Sequence, residues 1–228
     1  MTVGCSKVIL IGRCETVEKL TAEQVQKELD SLPQHYKTAD VDRLIRQYVK
    51  QKADASSLRS YILDQQQFHR IYYYVNLKGI KDVEQRMAFI HENLLFSDWW
   101  HTDQIIGFVS ELDFAVALRY AKGYVGDADP FIRRWGYVLF ISRLCKGHAA
   151  ELLPLMHDDE EYYVQMAQAW LIAELAVHEP EAVYYWLSQN DLKYNINGKA
   201  IQKICDSFRI GQKWKDRFKE LRPTLRFR

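Results

Sequence analysis

Residues 97 to 108 read SDWWHTDQIIGF. Two indoles here precede a carboxylate by about one helical turn: Trp99 and Asp103 stand at i and i+4, Trp100 and Asp103 at i and i+3. On a helix either ring can lie beside the acid. An electron-rich indole face and a carboxylate together suit a cationic group. Adjacent side chains on a helix point about 100° apart, so one packed face does not take both tryptophans. One ring is expected in the core and the other on a binding surface, with Asp103 as the candidate acid. The same spacing also suits a core tryptophan followed by an acid near a helix end.

Two further stretches carry candidate chemistry. FIRRWGYVLF, residues 131 to 140, has Arg133 and Arg134 side by side, so at least one must face outward or sideways. An outward arginine is ordinarily solvated; one that faces a groove is a phosphate ligand. EYYVQMAQAWLIAE, residues 161 to 174, sets Tyr163, Ala167, Trp170 and Glu174 at i, i+4, i+7 and i+11, a single helix face with two aromatics and an acid. Its plainer reading is a half-buried helix with Trp170 in the core.

Charge adds a partner class. From Lys193 to Arg228 eleven Lys and Arg face three acids, a local balance of +8, so the rest of a chain of net charge +1 carries −7. Such a basic end points to an anionic partner, of which nucleic acid is the commonest, or to a solvated C-terminal helix with a loose tail. His69, His91, His148, His157 and His178 stand in no constellation and are expected as ordinary surface or partly buried residues. The four cysteines, Cys5, Cys14, Cys145 and Cys205, are scattered, with no CxxC and no histidine at metal spacing. Free thiols and no zinc site are expected. No apolar run approaches the roughly 20 residues of a membrane span, and VILI at 8–11 is too short for a signal-peptide core. The expected compartment is the cytoplasm.

The elements that must position these residues are helices. Clean strand alternation is missing, while helical periodicity recurs throughout. TAEQVQKELDSL opens on a Thr21 to Gln24 capping box. VDRLIRQYVK places Val41, Leu44, Ile45 and Tyr48 on one face; VEQRMAFIHENLL does the same with Val83, Met87, Ile90 and Leu94. DPFIRRWGYVLFISRL starts with Asp129 as N-cap and Pro130 at the first helical position. Acids at 158–161 suit another helix start, a helix begins near Pro180, and KAIQKICDSFRI forms one near the end. About twelve short helices with short connections suggest stacked helix pairs, an α-solenoid of about 35 to 45 residues per unit, with a compact helical bundle as the alternative.

Taken together and in this order, the three stretches resemble the DNA alkylation repair family, the glycosylases built of HEAT-like repeats, from about Leu94 to Arg209. The family's W-W-D-[ST]-x-D motif is similar to WWHTDQ here. Its aromatic-aliphatic-x-Arg step is similar to Phe131-Ile132-Arg133-Arg134, with Arg134 at the DNA-facing arginine. Its aromatic pair, Gln, Trp and downstream Glu resemble Tyr162-Tyr163-Val164-Gln165, Ala169-Trp170 and Glu174, the most specific match of the three. The resemblance implies an all-α superhelix of HEAT-like pairs with a concave DNA-binding face. The helical pattern sets that single domain at residues 21–228, after an irregular arm at 1–20.

The activity it implies is removal of positively charged N3- and N7-alkylpurines from duplex DNA, by a monomer without metal or diffusible cofactor. Trp99, Trp100, Gln104, Arg133, Arg134, Tyr163 and Trp170 are the implied lesion and DNA contacts and Asp103 the implied catalytic acid. The acid position reads two ways. If both tryptophans align with the family's, His101 replaces its first acid and Gln104 stands at the essential one. If the helix is offset by one residue, Trp99 and Asp103 restore the Trp-to-acid i, i+4 spacing. The first alignment implies a non-catalytic protein that binds damaged or branched DNA. A helical-repeat scaffold for another protein is the third reading.

Overall fold

The computed structural model describes residues 19 to 225, apart from 64 and 142, and among these no strand forms beyond an isolated bridge between Lys19 and Asp54. The arm expected at 1–20 lies outside the described residues except for Lys19 and Leu20, and Leu20 is buried in the core. Twelve α-helices follow in order: α1 Ala22–Asp30, α2 Thr38–Lys50, α3 Gln66–Gly79, α4 Val83–Glu92, α5 Trp99–Asp103, α6 Phe114–Tyr124, α7 Pro130–Val138, α8 Ala149–Leu152, α9 Tyr162–His178, α10 Pro180–Gln189, α11 Tyr194–Asp206 and α12 Gln212–Leu225.

Aspartates start α5, α6 and α7, whereas α9 and α11 begin without a side-chain cap. Asp98 accepts from the Trp99 N–H at 2.6 Å and fixes where α5 begins. Asp113 accepts from the Ala115 and Val116 N–H groups at 2.9 and 3.1 Å and opens α6. Asp129 accepts from the Phe131 N–H at 2.7 Å with Pro130 in the first turn, as the sequence predicts for α7. Only half of the predicted box at α1 forms. Thr21 accepts from the Gln24 N–H at 3.1 Å, but the Gln24 side chain turns to Glu28.

Alternate helices stack in chain order: α5 packs on α7, α7 on α9 and α9 on α11, while α6 and α10 back α7 and α9. This is the layout of an all-α helical repeat. Where α7 crosses α6, a Cβ on Gly136 would lie 2.9 Å from Val125 Cγ1 and 3.1 Å from Tyr124 Cβ, so the close approach requires glycine. Helix α9 is apolar nearly all round and buries eleven of its seventeen residues, more than the expected half. Helix α7 ends at Val138 although the apolar run continues. Leu139, Phe140 and Ile141 are buried in the turns that follow, so hydrophobicity there marks the core rather than a helix.

Candidate functional site

The five-residue helix α5 sends consecutive side chains to two different places. Trp99, 43% exposed, and Asp103 line a cavity of about 310 Å³ together with Arg134 from α7, Tyr162, Tyr163, Met166 and Trp170 from α9, and Lys203 from α11. Each of the four stacked helices thus contributes to one opening. Trp100 and Gln104 instead line a separate cavity of about 320 Å³ with Thr38, Gln66, Gln67 and Arg70. Asp103 borders both.

Arg134 is the hub of the first cavity and is only 4% exposed. Its Nη2 donates to Asp103 Oδ1 at 2.7 Å, its Nε to Thr102 Oγ1 at 3.1 Å and its Nη1 to the Tyr163 carbonyl at 2.8 Å. Three divergent bonds of this kind require a planar guanidinium. They tie α5, α7 and the first turn of α9 together. The single hydroxyl proton of Thr102, itself buried, faces the Trp99 carbonyl at 2.8 Å and Asp103 Oδ1 at 3.0 Å. Both described bonds to the Asp103 carboxylate therefore fall on Oδ1, and Oδ2 has no hydrogen-bond partner among the described residues. The acid is half-fixed, with one oxygen oriented and one available.

Arg134 was expected as a DNA-facing arginine; it lines the cavity but is buried, with three of its five N–H groups held by Asp103, Thr102 and the Tyr163 carbonyl. Arg133 is also engaged elsewhere. It clasps Asp159 through Nε at 2.7 Å and Nη2 at 3.1 Å and donates to the Asp127 and Ala128 carbonyls, outside the cavity lining. Burial alone would raise the Asp159 pKa, yet the bonds from Arg133 and the Glu161 N–H hold it below the ordinary carboxylate value. The pair braces the approach to α9. Glu174 pairs with Arg209 and lines a neighbouring cavity that shares Trp170 and Lys203. The Lys203 ammonium makes no ion pair or hydrogen bond among the described residues.

Gln104 is built into the other side of α5. Its Oε1 accepts from Arg70 Nη1 at 3.2 Å, its Nε2 donates to His69 Nδ1 at 2.6 Å, and its carbonyl accepts from Tyr74 Oη. Contrary to the sequence expectation, His69 is fully buried. It stacks on His101 with centroids 3.7 Å apart and rings 7° from parallel, and Trp100 packs edge-on against both. Burial, then the proximity of His101, pushes the His69 pKa down to about 2. Burial pushes that of His101 down to about 4, against a small opposing pull from Asp98. Both rings are neutral, and each accepts at Nδ1, His101 from the Ser97 N–H at 3.0 Å.

Cys145 and Cys205 are free thiols; Cys5 and Cys14 lie outside the described residues. Among the described residues no group of three or more His, Cys, Asp or Glu could hold a metal ion, and no helix is long and apolar enough to cross a membrane.

The residues that sequence reasoning passed over are Thr102, Lys203, Met166 and His69. Thr102 lies inside the motif, and Lys203 lies in the basic C-terminal stretch, so each had a local signal. Met166 and His69 had none. A sequence model of a family described as DNA alkylation repair enzyme matches residues 36–204, most of the chain. No individually curated protein matches it.

Proposed function

The chain belongs to the DNA alkylation repair enzyme family, and from that premise we propose that its α5–α7–α9–α11 cavity excises cationic N3- or N7-alkylpurines from duplex DNA. The observation that supports this reading is the meeting of Asp103, its Oδ2 unpartnered, with the rings of Trp99 and Trp170 around one opening. An alkylated purine already carries the positive charge that a general acid would otherwise supply. When the C1′–N bond breaks, the bonding pair returns to the base and neutralises it. The deoxyribose is left as an oxocarbenium-like cation. A carboxylate beside that carbon stabilises the charge as it develops, and the indole faces favour the same cation. Water then adds to C1′ and gives up its proton to Asp103 or to solvent.

Within this reading Arg134 is a positioning residue. It turns Asp103 through Oδ1 and leaves Oδ2 for the sugar and the water. Lys203, unpaired at the cavity, would take a phosphate, and contacts of that kind fix register without reading sequence.

The test is release of free 7-methylguanine from methylated duplex DNA by the purified chain. Release well above the spontaneous rate is expected. Salt-dependent duplex binding without release would replace excision by binding alone, the reading that Gln104 at the acid position implied.

A further inference from the structure

Phe208 is 93% exposed, the most exposed large hydrophobic side chain among the described residues. A lone exposed apolar residue ordinarily needs no explanation; here the placement does. Phe208 lies in the turn between α11 and α12 and lines a cavity of about 350 Å³ that shares Trp170 and Lys203 with the excision cavity. The turn is braced on both sides of the ring. The Ser207 N–H donates to the Lys203 carbonyl at 3.1 Å, and the Arg209 guanidinium is held by Glu174. The next residue, Ile210, is buried. The backbone on either side is tied down, so the ring is displayed outward rather than left over from a loose loop. The surrounding segment carries the chain's excess of positive charge.

We propose that this corner is a second DNA contact, in which Phe208 packs against the bases of the strand flanking the lesion while Lys203 holds the phosphate between the two cavities. Apolar side chains serve this purpose by pressing against or between base steps, which every base tolerates because every base has an apolar face. The inference rests on the α5–α11 cavity being a DNA site, and extends it along the duplex by one further subsite. It also gives the basic C-terminal stretch a role: its charge draws the flank of the duplex onto the ring.

The experiment is a binding titration by fluorescence anisotropy on a duplex holding a stable abasic-site analogue, with 2-aminopurine in place of a flanking base. Phe208→Ala is expected to weaken binding about tenfold and to remove the flanking 2-aminopurine signal, with the salt slope unchanged because the ring is neutral. Phe208→Trp restores both. Lys203→Ala lowers the salt slope by about one. If the wild-type chain binds and Phe208→Ala binds equally well with the same 2-aminopurine signal, the corner is not a DNA contact and the excision cavity stands. If the wild-type chain shows no salt-dependent duplex binding, both readings fall together.

Discussion

The two sides of α5 are built from neighbouring residues and have opposite characters. On one side Trp99 is exposed, the Asp103 Oδ2 is unpartnered, and Lys203 faces the opening without a counterion. On the other, Trp100 packs on two stacked histidines, and both ends of the Gln104 amide are taken by Arg70 and His69. One side has groups to spare and the other has already used its own. A helix of five residues has no face of its own to impose. Its rotation is set by what receives it: α3 takes Trp100 and Gln104, and α7 takes Thr102 and Asp103. Binding capacity thus falls where the fold leaves polar groups at an opening, and rigidity where it buries them and pairs most of them, the buried His69 Nε2 excepted.

The strongest way to break this comparison is to remove the acid and the amide separately. Asp103→Asn should lower single-turnover base release about 10²- to 10³-fold while duplex binding persists, since the lost interaction is made in the transition state. Gln104→Ala should leave release largely intact and destabilise the fold by about 1–3 kcal/mol, because Arg70 and His69 lose a partner. Urea unfolding and single-turnover assays on the same preparations measure both. Equal losses of release in the two variants would mean that the sides of α5 are not functionally distinct.

A second test presses on the satisfied side through pH. His69 and His101 are held neutral, with folded pKa values of about 2 and about 4, below the ordinary 6.5. The unfolded chain takes up protons below pH 6.5 that the folded chain refuses. Stability is therefore complete above about pH 6.5 and falls as the pH drops toward 4, by about 1.4 kcal/mol per pH unit for each histidine. Urea midpoints between pH 7.5 and 5 should show this slope, and His101→Gln should flatten part of it. An unchanged slope in that variant would mean that the stacked pair is not what ties α5 to α3.

What the sequence made legible was local. The Asp129–Pro130 start of α7 and the buried stripe of α2 follow rules that act within one turn, and the structure carries both. The spacing around Trp99 and Asp103 named both residues but left the rotation open, because a short helix takes its orientation from tertiary partners. Arg134 was legible as an arginine near the site but not as a buried one, since its acceptors arrive from α5 and α9. The face written through Tyr163, Ala167 and Trp170 divides, with Ala167 in the core and the two aromatics at the cavity. Period alone does not resolve a helix that is packed nearly all round. His69 and Met166 had no local signal at all; only the packing of α3 on α5 and the turn of α9 toward α11 give them a place.

The smallest expected effect is also the one closest to the sequence, the exchange of one tryptophan against its neighbour. Trp99 is 43% exposed and covers little core, so Trp99→Ala should leave the unfolding midpoint nearly unchanged. Its cost should appear in base release, about two- to five-fold, the size of an exposed indole–cation contact. Trp100→Ala should do the reverse. It removes the ring packed edge-on against His69 and His101, so the midpoint drops while release per folded molecule is kept. A destabilised Trp99→Ala, or a stable Trp100→Ala with slowed release, would show that the exposed ring and the packed ring have exchanged roles in solution. Asp103 would then have to act from the side of α5 that Trp100 and Gln104 line.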